Sequence, residues 1–113
     1  MAKKETSTTG LEQRLSPRLT GAQRRFLRSL AHDRDPIVRV GQRGLSENLI
    51  ENFRAALLAH ELVKVKVHGG DGLVEVAEAF HEQTGAQLAQ KIGFTLVFYK
   101  PHPDDPTIRL PSD

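Results

Sequence analysis

Between two polar ends, the hydrophobic positions of this chain switch repeatedly between helical and strand spacing. Ala22, Phe26, Leu27 and Leu30 recur at three- and four-residue intervals and mark one face of a helix. Thr20 stands where that helix would begin, and Gln23 three residues later completes a capping-box pattern. Pro36 and the Asp-containing stretch before it end the helix. Ile37-Val38-Arg39-Val40 predicts a short strand, and Gly41-Gln42-Arg43-Gly44 a turn after it. Ser46 caps a second helix with Glu47 in its first turn, and Leu49, Ile50, Phe53, Ala56 and Leu57 line its apolar face. From Leu62 to His68 the pattern alternates: Val63, Val65 and Val67 point one way, Lys64, Lys66 and His68 the other. A Gly-Gly-Asp-Gly turn, with Asp71 as cap, leads into a third helix. Leu73, Val74, Val76, Ala77 and Phe80 form its buried side, Glu75, Glu78 and Glu82 its outer side, and Gly85 its end. Ala86 to Ile92 and, after Gly93, Phe94 to Lys100 read as strands, with Leu96 and Phe98 on one face.

This order is an N-terminal helix, then βαβα, then a terminal β-hairpin. A strand–helix–strand unit pairs parallel strands and a hairpin pairs antiparallel ones, so the sheet is mixed. The fold class is α/β, of the α+β two-layer kind. Lys64 and Lys66 would not sit in a strand covered on both faces, so one sheet face should meet helices while the other stays at least partly open and basic. Residues 1–18 lack periodicity and are expected to form a flexible basic tail. Residues 19–100 form the domain. Residues 101–113 hold four prolines and should run over the surface, with Thr107-Ile108-Arg109-Leu110 available as a short edge strand.

Composition narrows the function. At 113 residues the chain has room for one domain. It has no cysteine, so disulfides and thiolate metal sites are excluded. No apolar run approaches the roughly 18 residues of a membrane span. The N-terminal lysines are not followed by the apolar segment of a secretory signal, so a cytoplasmic protein without membrane contact is expected; it is also expected to be a monomer. The net charge of +2 hides a segregation. Residues 20–70 carry nine Lys/Arg against five Asp/Glu, whereas residues 71–100 carry two against four. A basic first half suits a polyanion.

Three features carry candidate chemistry. In the Gly41-Gln42-Arg43-Gly44 turn, two glycines let backbone approach a phosphate chain, the following helix start faces an anion, and Arg43 adds a cation. The same GxxG arrangement clamps nucleic-acid backbone in KH domains, although on its own the spacing also fits a plain tight turn. Arg24 and Arg28 lie one helical turn apart, with Arg25 adjacent and no acidic residue at helical spacing to neutralise them. Lys64 and Lys66 share one strand face, with Arg39 on the neighbouring strand, a pattern that fits either a phosphate track or an edge guarded against aggregation. Catalysis finds no support. The five histidines make no HxxxH or HExxH, and there is no nucleophile elbow or Walker sequence. A non-enzyme is expected, with no cofactor and no small-molecule substrate.

Several ordered segments together resemble the CRM domain (chloroplast RNA splicing and ribosome maturation), in particular its small stand-alone bacterial members of the YhbY type. They are Leu19-Thr20, Arg25 with Leu27, Leu30-Ala31-His32 and Pro36, then Val40-Gly41-Gln42-Arg43-Gly44-Leu45 and His60-Glu61-Leu62-Val63-Lys64-Val65-Lys66. Ile92-Gly93-Phe94-Thr95-Leu96-Val97-Phe98-Tyr99 matches the family's Ile-Gly-x-Thr-Leu-Val-x-Tyr ending, with Phe94 at the variable position. The resemblance implies a mixed four-stranded sheet similar to the C-terminal domain of initiation factor three. It implies RNA as partner, and for the stand-alone members association with precursors of the large ribosomal subunit. It maps the family's GxxG loop onto Gly41, Gln42, Arg43 and Gly44, and its basic surface onto Arg24, Arg25, Arg28, Arg39, Lys64 and Lys66. Lys3, Lys4, Arg14 and Arg18 of the longer N-terminus would add basic contacts or act as a spacer.

Aromatic residues are 5% of the chain and most phenylalanines fall on apolar faces, which leaves Tyr99 as the aromatic available to stack on a base. Recognition by backbone and shape is therefore expected. Charge alone does not separate RNA from DNA, and only the resemblance favours RNA. A protein-interaction module, docked through Glu75, Glu78 and Glu82, is the alternative.

Overall fold

Most positions of the apolar stripes read from the sequence become the buried sides of elements. The computed structural model describes residues 8–41, 44–68 and 72–112. In chain order the elements are α1 (Thr8–Arg14), α2 (Gly21–Ala31), β1 (Val38–Val40), α3 (Glu47–His60), β2 (Leu62–Val67), α4 (Leu73–Thr84), β3 (Gln87–Ile92) and β4 (Thr95–Tyr99). The sheet order is β1-β2-β4-β3, with β1 and β2 parallel and the other two pairs antiparallel. It is the mixed sheet expected.

Local chemistry sets the boundaries. Thr20 Oγ1 accepts from Gln23 N and Gln23 Oε1 accepts from Thr20 N, both at 3.0 Å, so the capping box closes as read. Ser46 Oγ accepts from Leu49 N at 3.1 Å and starts α3. Gly85 ends α4 at φ 78°, a left-handed conformation that costs glycine nothing. Gly72 is the N-cap of α4 without a side-chain cap; Asp71, expected there, lies outside the described residues. Val74 is exposed rather than buried on that helix.

Period-two alternation splits the core in two. Val63, Val65, Val67, Leu96 and Phe98 meet α3 and α4 on one face. There Phe53 stacks on Phe80 with ring centroids 4.2 Å apart, and Phe98 meets Phe53 edge-on at 5.2 Å. The other face carries Leu62, Ala89, Val97 and Tyr99, against which α2 packs through Leu27 and Ala31. Helices thus lie on both faces, a fuller layering than the two layers expected, because Leu62, Val97 and Tyr99 alternate with the valine face and need cover of their own.

Two terminal readings are corrected. Residues 8–18 do not behave as a flexible tail: α1 forms there, and Leu11 and Leu15, one helical turn apart, are buried in the main core. This segment also satisfies the free edge of β3, where Leu88 N donates to Leu15 O at 3.0 Å and Lys91 N to Glu12 Oε2 at 2.6 Å. Residues 107–110 add no strand. The amides of Thr107 and Ile108 turn instead to a side chain: the carboxylate of Glu61 accepts from Thr107 N, Thr107 Oγ1 and Ile108 N, and also from His102 N. Lys3 and Lys4 lie outside the described residues.

Candidate nucleic-acid interface

Eight of the ten residues expected to contact a polyanion are described; they fall into a group on α2 and a group at the ends of β1 and β2, and the structure assigns some of them internal work. The first group lies on α2. Arg24, Arg25 and Arg28 line a shallow depression of about 140 Å³ at the seam between α2 and β3, together with Glu12 and Gln90. Arg25 and Arg28 are exposed there. Arg24 is half-buried, and its Nη1 donates to Leu19 O at 3.0 Å and to Ser16 Oγ at 3.3 Å. It therefore pins the segment between α1 and α2. The Glu12 carboxylate places a negative charge beside this group, which weakens it as an anion site.

The second group lies where β1 and β2 end. Arg39 stands opposite Lys66 in the parallel register, and Lys66 stands opposite Thr95 of β4. Paired residues project from the same face and adjacent strands lie about 4.8 Å apart, so two cations sit side by side on the sheet. Arg39 is exposed and Lys66 half-exposed. Among the described residues neither has a carboxylate within salt-bridge distance; the ion pairs there are Arg14 with Glu78 and Arg54 with Glu51. Like charges placed opposite each other destabilise a sheet, and nothing inside the described fold repays that cost.

Lys64, on the same strand face as Lys66, behaves differently. Its Nζ donates to Ala31 O at 3.1 Å and to Arg34 O at 2.8 Å. It thereby satisfies carbonyls at and beyond the C-terminus of α2, where a cation also complements the helix dipole. Its neighbour Lys66 has no such partner among the described residues.

The GxxG turn follows directly from β1. His68 N donates to Val40 O at 2.8 Å, which carries the parallel pairing up to the turn. Gly44 N donates to Gly41 O at 3.0 Å and closes it, and Gly44 sits at φ 76°, where a side chain would be strained. A Cβ built on Gly41 would meet nothing within 4 Å, so its backbone is open to approach. Gln42 and Arg43 lie outside the described residues.

Tyr99 is not available to a base. It is 4% exposed and packed in the second core, and burial pushes its phenol above the ordinary range, with the nearby Glu61 charge adding to the shift. The exposed aromatic is instead Phe94, at the β3–β4 turn. Of the N-terminal cations, Arg14 is bonded to Glu78 at 2.8 Å. Among the described residues no group of three or more His, Asp or Glu is placed to hold a metal, and no helix is long and apolar enough to cross a membrane.

Residues 19–100 match the CRS1 / YhbY (CRM) domain model. The chain belongs to the CRM domain family. It is 44% identical over 95 residues to the Probable RNA-binding protein YqeI of Bacillus subtilis, covering 82% of this chain and 99% of that one. A Haemophilus influenzae relative named RNA-binding protein is 39% identical over 95 residues, covering 82% and 95%. The solution structure of the hypothetical protein SAV1595 from Staphylococcus aureus is similar at a TM-score of 0.71 and 42% identity, covering 82% of this chain and 99% of that one. In this CRM protein α1 precedes the matched segment, so its contacts with β3 add to the family domain from outside it.

Proposed function

We propose that this CRM protein binds structured RNA by its backbone and shape, and that it acts in the cytoplasm as an assembly factor on precursors of the large ribosomal subunit, as a monomer and without catalysis. The Arg39–Lys66 pair carries this reading. Two adjacent cations face solvent beside the GxxG turn with no described carboxylate to balance them, and a polyphosphate backbone supplies that balance. The names of the relatives in Bacillus subtilis and Haemophilus influenzae point to RNA as the polyanion. Gly41 to Gly44 and Arg43 act as the clamp, Arg39 and Lys66 as its adjoining support, and Arg25 and Arg28 as a second contact. Arg24 and Lys64 contribute mainly by holding α2 in place.

A competition assay tests the choice of polyanion. Labelled large-subunit ribosomal RNA fragment bound to the protein is challenged with unlabelled structured RNA or with duplex DNA of equal length. The proposal expects the RNA to displace the label at much lower concentration. Equal or better displacement by duplex DNA contradicts it. In cell extracts, an Arg39→Glu/Lys66→Glu variant that still sediments fully with ribosomal precursors would move the contact to proteins.

A further inference from the structure

Five phenylalanines occur in the chain, and four have a structural reason. Phe53, Phe80 and Phe98 form the aromatic centre of the main core, and Phe26 packs half-buried against the second core. Phe94 has none. It occupies the two-residue turn between β3 and β4 and is 53% exposed. Gly93 before it supplies the positive φ, 57°, at the first central position, where a II′ turn takes glycine. The second central position usually takes a small polar residue, so the turn has no use for a ring. Ile92, on the other side of Gly93, is 54% exposed.

The topology fixes where these apolar groups lie. β1 and β2 run parallel, so their C-terminal ends share one end of the sheet; β4 is antiparallel to both β2 and β3, so the β3–β4 turn lies at that end too. Val67 N donates to Phe94 O at 2.8 Å, one residue before His68 N donates to Val40 O. Val40, at the end of β1, and Phe94 therefore flank the end of β2, about 10 Å apart at two inter-strand spacings. The last register row to span all four strands before this end reads Arg39, Lys66, Thr95, Ile92 from β1 to β3. Two cations thus grade into an apolar edge. This is the arrangement that single-stranded nucleic acid uses, with phosphates on the cations and a base face on an aromatic ring.

We infer that Phe94 is a stacking platform for an unpaired base of the bound RNA, placed so that the strand held at the Arg39–Lys66 pair passes over the end of β2 and lays one splayed nucleotide on the ring. The inference rests on the RNA-binding reading and adds to it a preference for loops, bulges or ends over uninterrupted duplex.

Phe94→Ala and Phe94→Trp are compared with wild type on two RNAs, a hairpin with an unpaired purine-rich loop and a fully paired duplex of the same composition. Phe94 is outside both cores, so all three proteins should unfold at closely similar temperatures. The expected result is a loss of roughly tenfold in hairpin affinity for the alanine variant, the usual scale for one stacked base, with duplex affinity unchanged. The tryptophan variant retains hairpin affinity, and because the chain has no other tryptophan, its fluorescence reports the contact by quenching on the hairpin only. Wild-type affinity of the alanine variant for the hairpin, equal losses on both RNAs, or absence of quenching overturns the inference. Wild-type protein that binds neither RNA overturns the RNA-binding reading itself, and the stacking with it.

Discussion

Thr107 donates twice to the carboxylate of Glu61, from its amide at 3.0 Å and from its hydroxyl at 2.7 Å. Glu61 ends α3 at φ 64°, a left-handed conformation uncommon for a residue with a side chain, and its carbonyl accepts from Lys100 N at 2.9 Å. One buried residue thus stops a helix and fastens the C-terminal segment. Burial on its own would push the carboxyl up, but donors from His102, Thr107 and Ile108 hold it at about 2, below the ordinary 4.5. The folded state therefore favours the ionised form. The stability this contributes is fully present above pH 4.5 and is lost as pH falls toward 2. Glu61→Gln should cost on the order of 2 kcal/mol at neutral pH. Urea unfolding across pH should also show a shallower acid limb for the variant. A variant curve parallel to wild type would mean that the carboxylate contributes no such linkage.

Lys64 and Lys66 are two residues apart on one strand yet should respond oppositely. Lys64→Met removes the donor to Ala31 O and Arg34 O and should destabilise by about 1 kcal/mol. Lys66→Met relieves its repulsion with Arg39 and should leave stability within about 0.5 kcal/mol of wild type. It should weaken RNA binding and lower the salt slope by about one. Thermal unfolding together with salt-dependent titration of both variants checks the assignment.

The α2 arginines divide in the same way. Arg24→Met breaks the contacts to Leu19 O and Ser16 Oγ and should lose about 1 kcal/mol of stability. Arg25→Glu/Arg28→Glu changes exposed groups and should unfold like wild type while binding RNA roughly tenfold more weakly at low salt. The reverse pattern would remove this helix face from the interface.

Helix α1 makes a prediction of its own. Leu11 is 3% exposed in the main core, so Leu11→Ala should cost about 2 kcal/mol or more. Removing residues 1–18 should destabilise further, because Leu88 N and Lys91 N lose their acceptors. Urea midpoints of the two variants give the answer, and a truncated protein as stable as the full chain would contradict it.

Capping and alternation were readable because they are local. Thr20 with Gln23, Ser46, Gly85 and the valine-lysine alternation of β2 all announce themselves within a few residues. What escaped was non-local. Leu11 and Leu15 are two leucines in a polar stretch, too few to signal a helix, and they matter because β3 leaves an edge to cover. Glu61 reads as an ordinary charged helix end, and its partners lie more than forty residues away. The cations were all visible, but only tertiary contacts separate Lys64 and Arg24, which hold backbone carbonyls, from Lys66 and Arg39, which do not. Tyr99 reads as accessible because most phenylalanines fall on apolar faces and leave it as the remaining aromatic; α2 covers its face.

The most direct test of the central claim is a titration of wild type and a Gln42→Asp/Arg43→Asp variant against large-subunit ribosomal RNA fragments at several salt concentrations, after both are shown to fold. The account predicts a log–log salt slope of several units for wild type, at about 0.7 to 0.9 per phosphate engaged, and much weaker binding with a smaller slope for the variant. Equal, salt-insensitive affinities would contradict it, as would a wild type that ignores free RNA yet sediments with ribosomal precursors.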